Sequence, residues 1–187
     1  MEGAVVVADT NALLNLAAPV VDTRQKAPSG EDPLVAVLGS YDVHVPSTVL
    51  GEVATATHGD DLLSAAVETV MLASHRLTEH SVGEEGQSDG DETPDYGLDE
   101  GESDAIRLAN EMGADMLVTD EINAENQLLV LLWVDDRNTV FPTSQVLCKL
   151  ADEGVVSEEY VHSALTYYVE TKGWDKVFVD RLRAKYL

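Results

Sequence analysis

Val5-Val6-Val7-Ala8-Asp9-Thr10-Asn11-Ala12-Leu13-Leu14 is the stretch whose reading decides the fold. Residues 4–8 are a short apolar run rich in β-branched valine, which reads as a buried strand. Asp9 ends it, and Leu13, Leu14 and Leu16 then recur at helical spacing over residues 10–16. A strand passing directly into a helix opens a β–α unit, and the rest of the chain repeats the pattern. Residues 19–33 hold three prolines and little periodicity, so a loop or frayed helix is expected there. A helix over 33–38 and a strand over 42–45 follow. Pro46-Ser47 starts a further helix with Ser47 or Thr48 as its cap, carrying Val49, Leu50 and Val53 inward and Glu52 on the edge.

Leu63, Val67, Val70 and Leu77 predict a helix over 61–77, capped by Asp60. Periodicity resumes at 102–112 and stops at Gly113, a residue suited to the position after a helix end. Residues 116–119 form another strand that runs into acids, Asp120-Glu121. The apolar run 128–134 is too short to be assigned to strand or helix by its period. Residues 135–138 read as a turn, 139–141 as a strand, and 143–153, 157–172 and 175–186 as helices. Strands alternating with helices predict an α/β fold, three layers deep, around a mostly parallel sheet. One domain is expected over 1–187, with a core at about 1–141, an acidic insertion at about 79–100 and a helical C-terminal extension at about 142–187.

Composition sets the physical setting. The chain has 187 residues with 35 Asp or Glu against 11 Lys or Arg, a formal net charge of −24, yet 44% are hydrophobic. That supplies a real core, and wholesale disorder is not expected. The acids are spread along the whole length, lysine is scarce and there are only two phenylalanines. This pattern fits a cytoplasm of very high salt, where the Debye length falls to about 3 Å at 1 M and repulsion from phosphates is largely screened. Net charge therefore does not exclude a nucleic-acid partner, which local charge must decide. The single cysteine, Cys148, excludes an intramolecular disulfide framework and any cysteine-based zinc cluster, and reads as a buried apolar residue. No basic n-region of a signal peptide precedes the first strand, and no apolar run approaches the roughly 20 residues of a membrane helix. A soluble, cytoplasmic protein is expected.

Asp9 and Asp120 each follow a strand, at the carboxyl edge where parallel sheets build their sites. Glu52 and Asp104 stand on the border of apolar helix faces near helix starts. Each has an ordinary explanation: Asp9 and Asp120 as caps or turn residues, Glu52 as a surface charge, Asp104 as an acid favoured by a helix N-terminus. Gathered at one mouth of a sheet, four carboxylates would repel unless a cation lay among them, and hard oxygen donors suit Mg²⁺ or Mn²⁺.

In their order these residues resemble the PIN domain family, in an acidic, haloarchaeal-type form. Ala8-Asp9-Thr10-Asn11-Ala12-Leu13-Leu14 after a strand is similar to its opening, and Val49-Leu50-Gly51-Glu52-Val53 to its glutamate helix. Gly101-Glu102-Ser103-Asp104-Ala105-Ile106-Arg107-Leu108-Ala109 and Ala114-Asp115-Met116-Leu117-Val118-Thr119-Asp120-Glu121 resemble its later acidic segments. The resemblance implies a Mg²⁺- or Mn²⁺-dependent endoribonuclease cleaving single-stranded or structured RNA. Asp9, Glu52, Asp104 and Asp120 would be the metal-binding catalytic acids, with Glu102 and Glu121 able to replace or assist Asp104 and Asp120. Thr10, Asn11 and Thr119 would orient carboxylates or a water. Pairing with an antitoxin protein, as the toxin of a toxin–antitoxin pair, and homodimerisation are further expectations of this family. The alternatives are a housekeeping RNA-processing nuclease and a catalytically silent PIN-like interaction module.

Other chemistries find less support. A haloacid-dehalogenase-type phosphatase wants a second acid where Asn11 stands, no nucleotide-binding glycine loop is present, and the histidines lack metalloprotease spacing. Lys172, Lys176, Arg181, Arg183 and Lys185 hold five of the eleven basic residues. They form either a phosphate-contact strip or an ordinary solvated helix face with ion pairs.

Overall fold

The computed structural model describes residues 3–22, 31–56, 62–82, 96–120 and 124–187, without the side chains of residues 124 and 125. Among them, five strands form one sheet: β1 (Val5–Ala8), β2 (Asp42–Pro46), β3 (Thr78–His80), β4 (Met116–Val118) and β5 (Thr139–Phe141). The order is β3-β2-β1-β4-β5, and every pairing is parallel. The helices are α1 (Thr10–Val21), α2 (Pro33–Ser40), α3 (Ser47–Thr55), α4 (Leu62–Ala73), α5 (Glu100–Met112), α6 (Ala124–Trp133), α7 (Thr143–Asp152), α8 (Glu158–Lys172) and α9 (Lys176–Tyr186).

Alternation along β1 divides the molecule into layers. Successive strand side chains point to opposite faces, so Val6 enters one core with α1, α2, α3, α4, α7, α8 and α9. Val7 enters the other, against Ala105, Ile106 and Ala109 of α5 and Val130 of α6. Both valines are fully buried, as expected of a parallel strand covered on each face. The strand order reverses at β1, whose neighbours are β2 on one side and β4 on the other. A crevice opens at such a switch point, beyond the carboxyl ends of the strands. The backbone N–H of Asp9 donates to Val118 O at 3.1 Å, holding the ends of β1 and β4 together there.

Three elements differ from the sequence reading. Helix α1 runs through Pro19 to Val21 instead of giving way to a loop. Proline has no N–H for the carbonyl four residues back, here Asn15, and the Tyr168 hydroxyl of α8 donates to that oxygen at 2.8 Å instead. The apolar run left open between strand and helix is helical over residues 128–133, in α6, and Val134 follows the helix end. Strand β3 was missed, because Thr-Glu-His lacks an apolar signature. It pairs with β2, and ring nitrogens of His44 and His80 meet at 2.8 Å across the pair. Smaller corrections concern helix ends. Pro46 precedes α3 with no side-chain cap, so neither Ser47 nor Thr48 serves as one. Helix α4 ends at Ala73 and passes into a 3-10 turn, Ser74–Arg76, while the expected cap Asp60 lies outside the described residues. Gly113 takes the left-handed conformation (φ 60°) expected after α5. Cys148 is buried, as read, and so is Trp174. Among the described residues, no helix is long and apolar enough to cross a membrane.

Tyr168 is fully buried and its hydroxyl replaces the bond that Pro19 cannot make. Tyr168→Phe is expected to cost about 1–3 kcal/mol, because the Asn15 carbonyl loses a buried partner. Urea denaturation of the two proteins, with unchanged far-ultraviolet circular dichroism, measures it.

Candidate functional site

Asp9 begins the site. It caps α1, its Oδ1 accepting from the Ala12 amide at 2.6 Å. The ordinary cap role is therefore real, but it occupies one oxygen. The residue is 2% exposed, and Oδ2 is buried without a hydrogen-bond partner. Burial pushes the Asp9 carboxyl up from 3.8 to about 7. Hydrogen bonds from Thr119 and Ala12 oppose that rise, while the charges of Asp120 and Asp99 add to it.

A cavity of about 80 Å³ opens beside Asp9 and is lined by Asp9, Thr10, Asn11, Glu52, Asp99 and Glu102. Three helix beginnings supply these groups, since α1, α3 and α5 all start at the carboxyl edge of the sheet. Glu52 of α3 is fixed from both sides: the Thr10 hydroxyl donates to Oε2, and the Gly101 amide donates to Oε1 at 3.0 Å. The missing side chain of Gly101 leaves room for that approach: a Cβ there would lie 2.6 Å from Glu52 Cδ, and the carboxylate would have to swing away. Asp99 caps α5, accepting from the Glu102 amide at 2.8 Å. Glu102 is buried and reaches a cleft behind Asp9 that Thr119 and Val130 also line.

The other expected acids are used differently. Asp104 is buried on α5 away from the cavity; Arg107 pairs with its Oδ1 and the Thr48 hydroxyl donates to Oδ2 at 3.0 Å. Thr48, expected as a cap, holds this carboxylate instead. Asp120 is buried with both oxygens engaged. Its Oδ1 accepts from Thr143 N at 2.7 Å, and its Oδ2 accepts from Thr143 Oγ1 at 2.5 Å and Asn15 Nδ2 at 2.9 Å. Burial raises its carboxyl, and these bonds together with the nearby Lys172 charge draw it back. Glu121 lies outside the described residues. Two of the five residues of the basic strip are ion-paired: Lys176 and Arg183 both bind Asp180, at 2.5 and 3.1 Å, and Arg183 also donates to Thr166.

Two site residues were not singled out in the sequence. Asp99 was counted with the acidic insertion, although an acid three residues before Glu102 at a helix start is a cap signal. Asn15 was overlooked, yet a polar residue inside Leu13-Leu14-Asn15-Leu16 is an anomaly in a buried helix, and it holds Asp120.

Chemically, the cavity offers carboxylates, a hydroxyl and an amide, the hard oxygen donors that suit Mg²⁺ or Mn²⁺. The unpartnered oxygen of Asp9 is an atom such a cation would satisfy. Among the described residues, however, no three His, Cys, Asp or Glu side chains converge into a ready ligand set. Side-chain rotation at Glu52 or Glu102 would be needed to complete one.

Two outcomes are expected. An acid whose folded pKa lies near 7 and whose unfolded value lies near 3.8 holds its proton longer when folded. Stability therefore falls as pH rises from about 4 to about 7, by up to about 4 kcal/mol. Asp9→Asn keeps the cap and removes this charge, so in metal-free buffer it should raise Tm by several degrees at pH 8 and leave it nearly unchanged at pH 4. Thermal melts at the two pH values check this. Gly101→Ala should swing the Glu52 carboxylate aside while the gain of about 0.5–1 kcal/mol in helix propensity leaves stability unchanged or slightly higher, read by denaturant unfolding. Comparison with family models, with curated proteins and with solved structures finds no match for this chain, which leaves the side chains at the carboxyl edge of the sheet as the ground for assigning a function.

Proposed function

We propose that this chain is a PIN-like, Mg²⁺- or Mn²⁺-dependent endoribonuclease acting on single-stranded RNA. The observation that carries the reading is the buried, unpartnered Oδ2 of Asp9, a residue that lines the switch-point crevice together with Glu52, Asp99 and Glu102. A carboxylate raised toward 7 by burial is costly to keep charged, and protein interiors hold such groups where a counter-charge arrives. When bound, the cation supplies neutralisation of the scissile phosphate and lowers the pKa of an attacking water.

The chain's own residues would do the rest. Asp9 offers Oδ2 as the central ligand while Ala12 fixes its other oxygen. Glu52 and Glu102 flank it, Glu52 held by Thr10 and Gly101. Asp120, with every oxygen anchored by Thr143 and Asn15, serves as a fixed negative charge beside Asp9 that draws the cation in. Asp104 serves as a strut between α3 and α5, bound to Thr48 and Arg107. Thr119, between Asp9 and Asp120, orients the Asp9 carboxyl.

A second reading, a silent interaction module, has two observations in its favour. The Asp104 and Asp120 carboxylates already have structural partners, and α6 exposes Leu128, Leu131 and Leu132. An exposed apolar row of this kind marks a contact surface.

Cleavage of a mixed single-stranded RNA in molar KCl with Mn²⁺ separates the two. The nuclease reading expects cutting by the native protein that falls at least 100-fold in Asp9→Asn and stops on chelation. Equal cutting by both proteins overturns the Asp9 site, and cutting by neither supports the module.

A further inference from the structure

Beside the acidic cavity lies a second, larger one of about 340 Å³, set between α6, the start of α7 and the α8–α9 turn. Its walls include Trp174 and Phe178, its floor Val130 and Pro142, and its rim Gln127 and Asp175. Thr119 and Asp120 line it as well, and Thr119 and Val130 also line the cleft behind Asp9. That cleft shares Asp9 and Glu102 with the acidic cavity, so it lies between the two cavities at the carboxyl ends of β1 and β4.

Resting on the nuclease reading, we infer that this second cavity is a nucleobase subsite for the RNA nucleotide next to the scissile phosphate. The occupant must have a flat apolar body, because Trp174 and Phe178 are aromatic and the floor is aliphatic. Trp174 is 6% exposed and locked by a stack on Tyr168, with centroids 4.5 Å apart and an 18° interplanar angle. Phe178 is 40% exposed, an open platform on α9. Base stacking on such platforms is the sequence-tolerant part of single-strand binding. The occupant also needs a polar edge, since Gln127 offers a donor and an acceptor.

An anion is disfavoured here, as Asp120 and Asp175 both line the space. The phosphate thus goes to the cation and the base to this pocket. A peptide helix, about 10–12 Å across with its side chains, is too wide for the volume, which sits at the low end for small-molecule sites. Carboxylates accept and do not donate, so a base with an exocyclic amino group, such as cytosine, is favoured over uracil.

The test uses the full chain in a Trp133→Phe background, so that Trp174 is the remaining tryptophan. Cytidine and uridine, as uncharged nucleosides, are titrated without metal in molar KCl, and Trp174 fluorescence is read. Saturable quenching is expected, tighter for cytidine and at least tenfold weaker in Phe178→Ala. In RNA cleavage with Mn²⁺, Phe178→Ala should raise KM about tenfold with kcat within a factor of three. Quenching that is absent, or unchanged in Phe178→Ala, overturns the subsite even if RNA is cut. Quenching as expected with no RNA cleavage upholds the pocket and overturns the nuclease reading, so the two failures are distinguishable. Asp175→Asn on the rim keeps the test informative if Phe178→Ala does not fold: the amide can still cap α9 but also donates, so it should weaken the cytidine preference and leave stacking in place.

Discussion

A buried carboxylate at the end of the central strand is the constraint around which this molecule is organised. Asp9 lies where β1 and β4 part company, tied by its backbone to Val118 and by one side-chain oxygen to α1. Its second oxygen has no partner. Taking a carboxylate out of water without compensation is unfavourable by several kcal/mol, and here the fold adds Asp120 and Asp99 as further negative charges. Neighbouring helix N-termini, at α1, α3 and α5, offset part of this through their aligned peptide dipoles. A divalent cation would offset more, since it converts mutual repulsion among Asp9, Glu52 and Glu102 into shared attraction. The stability that the apo protein gives up at this edge of the sheet is intelligible if the edge exists to bind.

The surrounding structure can be read as support for that edge. Gly101 gives Glu52 room to approach α5, and Thr10 holds it from α1. Asn15 spends its amide on Asp120 and its carbonyl on Tyr168, because Pro19 has no N–H to give. Tyr168 in turn stacks on Trp174. A chain of contacts therefore runs from the acidic crevice through α1 to the helical C-terminal segment and its aromatic cavity. In this way α8 and α9 become part of the site's frame.

Much of this architecture was legible in the sequence, and the reasons are specific. The valine run of β1 and the apolar runs of β2 and β4 announced buried parallel strands, and their alternation with helices announced the α/β class. Strand β3 was not legible, because a three-residue edge strand of Thr, Glu and His has no apolar pattern to read. Helix α1 beyond Pro19 was not legible either, since its continuity depends on a hydroxyl from a residue far along the chain. At the site, Asp9 and Glu52 could be placed by their positions at a strand end and a helix edge, and both line the cavity. Asp104 could not be told from Glu102, two residues away on the same helix. Only the three-dimensional partners show that Asp104 is engaged by Arg107 and Thr48 while Glu102 faces Asp9. Net charge was least informative: the chain carries −24 overall, yet what matters is where a few carboxylates are buried.

The central claim is that Asp9, not the acidic surface as a whole, creates a cation site. Mn²⁺ titration followed by electron paramagnetic resonance at pH 8 in molar KCl tests it on the native protein, Asp9→Asn and Asp104→Asn. The account expects saturable binding by the native protein and by Asp104→Asn, and its loss in Asp9→Asn. Mn²⁺ bound by Asp9→Asn as tightly as by the native protein would contradict it.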